Sequence, residues 1–123
     1  MKRSIRLLTL AAAALLLVSG VGCDKLRARN ELNQGVKAYK EAKYEEAIEK
    51  FKNAVESDPK LLNARMYLAT AYAQQYVPGS EDPENKRVGD QAIEQYKKVI
   101  DANPNREQLI NSSKGIAGLY LQM

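Results

Sequence analysis

Few residues in this 123-residue chain could do chemistry, and the missing types narrow the choices. There is no histidine, so neither a Ser-His nor a Cys-His nucleophile can be assembled. One cysteine, Cys23, rules out a disulfide within the chain, and without histidine the usual zinc ligand sets cannot form. Glu45/Glu46 and Glu81/Asp82 are adjacent carboxylates, but such pairs on polar helix or loop positions are normally solvated charge. No glycine-rich phosphate loop and no EF-hand spacing occurs. Among the tyrosines, Tyr44, Tyr72, Tyr96 and Tyr120 stand at helix-packing spacing and are expected in the core, whereas Tyr39, Tyr67 and Tyr76 are not. The expectation is a binding protein rather than an enzyme, with no cofactor, no metal and no small-molecule substrate. The one side chain left with a chemical assignment of its own is Cys23.

What surrounds Cys23 suggests that assignment. Lys2, Arg3 and Arg6 form a basic start, Leu7 to Gly22 carries no charge and is rich in Leu and Ala, and small residues precede the cysteine. This is the order of a secretory signal. The uncharged run is 16 residues, short for a helix crossing a hydrocarbon core of about 30 Å. The cysteine directly after Gly22 resembles the lipobox of bacterial lipoproteins, which implies a diacylated Cys23 as the first mature residue. One departure is Gly20, where that family commonly has Leu; Leu17 lies three residues further back. An ordinary cleaved signal with an incidental cysteine, or an uncleaved anchor, would also produce this pattern. The resemblance implies a signal peptide at 1–22, a lipidated tether at 23–30 and a location in the bacterial envelope, facing the periplasm. Asp24 resembles an inner-membrane retention signal in enteric bacteria, but inner and outer membrane both stay open. With Lys2, Arg3 and Arg6 set aside, 16 basic residues face 15 acidic ones, so the pI of 9.2 is no argument for nucleic acid.

The elements that would position a binding surface are helical. Tyr44, Ala47, Ile48, Phe51, Ala54 and Val55 recur at three- and four-residue intervals, so they share one face of a helix that Asp58-Pro59 ends. Glu45, Glu49, Lys52 and Glu56 take the other face, and Glu46 is spaced to pair with Lys50. The alanines on the buried face predict a close helix neighbour. The pattern returns: Ala47 to Ala92, Phe51 to Tyr96, Ala54 to Val99 and Pro59 to Pro104 are all 45 apart. The preceding segments match at 34, Gly35 to Ala69 and Ala38 to Tyr72, which leaves an insertion of 11 residues inside the second copy.

A 34-residue helix-turn-helix period resembles the tetratricopeptide repeat. Gly35, Tyr44, Ala47, Phe51, Ala54 and Pro59 carry the resemblance in the first copy; Leu68, Ala69, Tyr72, Ala92, Tyr96 and Pro104 carry it in the second. Glu31 and Gln34 depart from it, standing where that family usually has bulky apolar residues. The expected fold is all-α: antiparallel helix pairs stacked as an α-solenoid over residues 31–123. The first repeat covers about 28–59 and the second about 60–104, with its insertion near 76–87. A half repeat or cap follows at 105–123, for about two and a half repeats in all. Helices are expected from about 26 to Ala42, from Tyr44, from Leu61 to Tyr76 and from Pro83 to Ala102, the last started by Asp82-Pro83-Glu84. Ile116 to Met123 parallels Leu68 to Gln75 and reads either as a cap or as the first helix of a further repeat. The insertion, with Tyr76 and Val77 beside it, reads equally as a ligand-contacting loop and as a tolerated excursion.

The resemblance implies that the first helix of each repeat lines a concave groove. Its residues would be Asn33, Val36, Tyr39 and Lys40, then Met66, Thr70, Ala73 and Gln74. This mix of apolar and amide groups suits a peptide or helix partner. That family's clamp for acidic C-termini uses a lysine and an asparagine where this chain has Leu32 and Val36, which argues against such tails. The expected function is a membrane-tethered adaptor that binds a protein partner in the envelope. The alternative is a structural subunit of a machine that assembles outer-membrane barrels or pilus secretins. Cys23→Ser is expected to abolish palmitate incorporation in labelled growth; equal labelling of the variant would refute lipidation.

Overall fold

The computed structural model describes residues 22–123. The basic start and the apolar run up to residue 21 lie outside the described residues. Within the described residues the chain forms α1 (residues 22–40), α2 (Tyr44–Ser57), α3 (Leu62–Gln75), α4 (Pro83–Asp101) and α5 (Arg106–Gln122), with no strand. Connections of three to seven residues leave each helix little choice but to double back on the one before.

Each helix end has a local cause. α1 stops at Lys40 rather than Ala42, because Ala42 takes a left-handed φ of 58°. The amide of Lys43 then donates to the Ala38 carbonyl at 3.0 Å and that of Ala42 to Tyr39 at 3.0 Å, which caps the helix in a Schellman motif. α2 begins without a side-chain cap but places Glu45 and Glu46 in its first turn, at the positive end of the helix dipole. It ends before Asp58-Pro59, where the Asp58 carboxylate accepts from the Lys60 amide at 3.1 Å. α4 starts as its sequence suggests: Asp82 accepts from the Glu84 amide at 2.9 Å and Pro83 occupies the first turn. α5 starts with a capping box in which Asn105 and Gln108 bond each other's backbone amides at 2.9 and 3.0 Å.

The helices form two layers. Asn63 of α3 bonds Gln108 of α5 at 2.8 Å, and the Tyr76 hydroxyl at the end of α3 donates to the carbonyl of Gln122 at the end of α5 at 3.4 Å. These two contacts, 45 and 46 residues apart, make α3 and α5 parallel. The Tyr39 phenol beside the Gln74 side chain places α1 alongside α3 as well. α2 and α4 make up the other layer. α3 is central: it packs against α2, α4 and α5, and so buries Ala64, Leu68, Ala69, Ala71 and Tyr72 around more than one face.

Two aromatic rings join the layers. Phe51 of α2 is fully buried, lies against Gly35 of α1 and stacks on Tyr67 of α3 with centroids 5.6 Å apart. Tyr96 of α4 lies against Gly115 of α5 and bonds Thr70 of α3 through its hydroxyl. Each ring thus sits between two helices of the other layer. Ala47 and Ala54, expected as close helix contacts, are both fully buried.

Two expectations are corrected. Lys50 pairs not with Glu46 but with Glu31 on α1, an ion pair with Nζ 3.5 Å from Oε2 and both side chains mostly shielded. A partner across the interface gains more from low dielectric than one on an exposed helix face. The pair offsets part of the cost of placing Glu31 at a position suited to an apolar residue, where its buried Oε2 accepts no hydrogen bond. Tyr120 is not core; it is 56% exposed, whereas its counterpart Tyr72 is covered by α4.

A Cβ added at Gly35 would stand 2.5 Å from the Phe51 ring. Gly35→Ala is therefore expected to lower stability by about 1–3 kcal/mol through overpacking. Gly118→Ala meets nothing within 4 Å and should raise stability by up to about 1 kcal/mol through helix propensity. Thermal melts of the two variants check this; shifts of the same sign would refute it.

Candidate functional site

The eight candidate residues fall on two neighbouring helices, Asn33, Val36, Tyr39 and Lys40 on α1 and Met66, Thr70, Ala73 and Gln74 on α3. They divide by burial. Asn33, Lys40 and Gln74 are exposed; the other five are half-buried. Val36, Tyr39, Met66 and Ala73 pack against the central apolar cluster, so they also support the fold. Tyr39 and Met66 are thus less independent of packing than their sequence positions suggest.

The polar groups between these side chains are ordered. The Tyr39 ring meets Tyr44 edge-on, with centroids 5.4 Å apart and planes at 66°. Partial burial raises the Tyr39 phenol above its ordinary pKa, Tyr44 adds to this, and the Gln74 side chain opposes it. Thr70 donates its hydroxyl to the Met66 carbonyl at 3.0 Å and lies 2.9 Å from the Tyr96 hydroxyl. Burial likewise raises the Tyr96 phenol, with Thr70 opposing. Both phenols stay neutral at physiological pH and present hydrogen-bonding groups without charge.

Charge on this side is less even than the whole chain suggests. Residues 22–40 carry Lys25, Arg27, Arg29, Lys37 and Lys40, all exposed, against Asp24 and the half-buried Glu31. Residues 41–123 hold 11 basic and 13 acidic side chains. The near-neutral total hides this segregation, which a count over the first helix alone would have found.

The insertion forms a built corner. Asn85 is 8% exposed; its side chain accepts from the Val77 amide at 2.7 Å and donates to the Val77 carbonyl at 2.9 Å and to the Ser80 carbonyl at 3.4 Å. Part of the insertion lengthens α4 to 19 residues against 14 in α2, and Asn85 in that extension holds the remainder. A cleft of about 470 Å³ beside it is lined by Tyr76, Pro83 and Met123, with Glu81, Asp82, Lys86 and Asp90 among its polar members. Nothing in the local sequence marked Asn85 out, because its partners are backbone groups eight and five residues earlier.

Cys23 is exposed at the start of the described part of α1, and the helix runs on through residues 23–30 with Ala28 fully buried. Among the described residues no cluster of His, Cys, Asp and Glu could hold a metal ion, and no helix is long and apolar enough to cross a membrane. No protein-family model matches this chain, and no curated protein matches it at a significant level.

Asn85→Ala removes three hydrogen bonds to the loop backbone and is expected to lower stability by about 1–3 kcal/mol. It should also speed proteolysis between Val77 and Asp82, measured by limited digestion. A variant as stable and resistant as the parent would show that the loop does not depend on this side chain.

Proposed function

We propose that this chain is a membrane-tethered adaptor of the bacterial cell envelope, built of tetratricopeptide-type helix pairs, and that it binds a peptide or helix of a protein partner along α1 and α3. The observation that carries the reading is the α1–α3 face. It combines half-buried Val36, Tyr39, Met66 and Ala73 with exposed Asn33, Lys40 and Gln74. A preordered floor costs a partner little conformational entropy, and amide and ammonium groups at its edge can bond a peptide backbone or side chain. The basic character of α1 favours an acidic or neutral partner segment over a basic one.

Two further features support the adaptor reading. The 45-residue recurrence of Phe51 at Tyr96 and the pairing of each ring with helices of the other layer are what stacked helix pairs require. The basic, apolar and small-residue order before Cys23 supplies a tether. Without histidine the chain cannot assemble a Ser-His or Cys-His nucleophile.

The combined change Asn33→Ala, Lys40→Ala and Gln74→Ala tests the surface, since all three side chains are exposed. Recovery of the partner from envelope membranes by pull-down should fall at least about tenfold, which corresponds to about 1.4 kcal/mol. The melting temperature should stay close to that of the parent, since only Gln74 of the three contacts another helix, at Tyr39. A triple variant that recovers its partner at the parent level would refute this surface.

A further inference from the structure

Residues 23–30, expected as a tether, are helix rather than loose chain, and Ala28 among them is fully buried. Ala28 follows Cys23 by five residues, about 7.5 Å of helix rise. The polar layer on each side of a bilayer is about 5–7 Å deep. A lipid on Cys23 therefore leaves no slack. The first two turns of α1 come to headgroup depth, and the packed end of the domain follows directly.

The side chains at that end sort by sign. Arg29 follows Lys25 by four residues and Leu26 by three, so the three share one side of α1, and all are exposed. Leu26 is 72% exposed, an apolar side chain between two cations. Arg27 turns the other way, into a cleft with Glu56 of α2. Lys60, just before α3, borders Lys25 across a second cleft. The remaining acids at this end lie along the clefts: Asp24 lines both, and the Asp58 carboxylate accepts from the Lys60 amide at 3.1 Å. Among the described residues Lys25, Arg29 and Lys60 pair with no acid.

Two features choose the occupant. Cations flanking an exposed leucine are what a helix at a membrane interface presents: the leucine enters the acyl boundary while the cations meet anionic headgroups. An acidic protein would match the charge, but it would have to displace the bilayer that the tether brings to the same depth. The geometry points to Lys25, Leu26, Arg29 and Lys60 as a docking surface for anionic phospholipid, an inference that rests on the tether proposed above. Lys40 lies 14 residues beyond Leu26, about 21 Å further along the helix, so the α1–α3 face stays clear of the headgroups.

The test uses the full chain, made in a bacterium that acylates lipoproteins, purified in detergent and returned to vesicles. The chain has no tryptophan, so Leu26→Trp is a sole reporter. In vesicles of equal parts phosphatidylglycerol and phosphatidylcholine its emission should shift to the blue and be quenched by brominated lipid. Val77→Trp, at the far end of α3, should show neither change. Added salt should reverse both changes, and so should Lys25→Glu with Arg29→Glu, at unchanged palmitate content and vesicle association. A full chain that carries no palmitate would refute the tether and this surface together. A palmitoylated, vesicle-bound chain whose Leu26→Trp emission is unquenched would overturn the surface alone. So would equal quenching in pure phosphatidylcholine. A charge-reversed variant that stays quenched but no longer recovers the partner by pull-down would also overturn it, and would assign the cations to an acidic protein.

Discussion

An aromatic ring set over a glycine is the contact on which the two-layer arrangement depends. Phe51 can be fully buried only because Gly35 has no side chain, and Tyr96 reaches Thr70 only by passing the bare backbone of Gly115. Each ring touches two helices of the opposite layer, so it fixes the spacing between neighbours as well as the separation of the layers. Burying a ring of this size is worth roughly 1.5–3 kcal/mol, a large share of the stability of a small domain. The alanines around it, Ala38, Ala47, Ala54, Ala69, Ala71 and Ala92, let the helices come close enough for the rings to bridge them.

The tilt of burial toward α3 follows from this. α3 takes rings from both sides, Phe51 at Tyr67 and Tyr96 at Thr70, and it is covered by α2, α4 and α5. α1 and α5 lie at the edges, and each shows a distinct character on its free side. α1 is basic and polar, whereas α5 is apolar. The free sides of α1 and α5 therefore differ in character. The α1–α3 face between them is part packed and part exposed.

Helix positions were legible in the sequence where one signal dominated. α2 announced itself by a one-sided apolar stripe and Asp58-Pro59, and α4 by Asp82-Pro83-Glu84. Gly35 was readable as a site of close approach, and the ring of Phe51 is what approaches it. Long-range partners were not legible. Lys50 had a local candidate in Glu46, yet Glu31 on another helix holds it. Asn85 has no periodic signature, because it serves backbone groups of a loop folded back on it. Tyr120 shares its spacing with Tyr72, but spacing cannot say whether a covering helix exists. For the proposed interaction surface, the helices and their register were legible in the sequence. The division into packed Tyr39 and Met66 and exposed Asn33, Lys40 and Gln74 required knowing which neighbours cover them.

A double-mutant cycle between Gly35 and Phe51 tests the ring contact most directly. Gly35→Ala, Phe51→Leu and the double variant would be compared with the parent by chemical denaturation. If the ring is what the glycine admits, the smaller side chain makes room for the added methyl, and the second change costs much less in the background of the first. The coupling should then be about 1–3 kcal/mol. Additive effects of the two substitutions would mean that the ring and the glycine are not in contact, and that the layers are held together some other way.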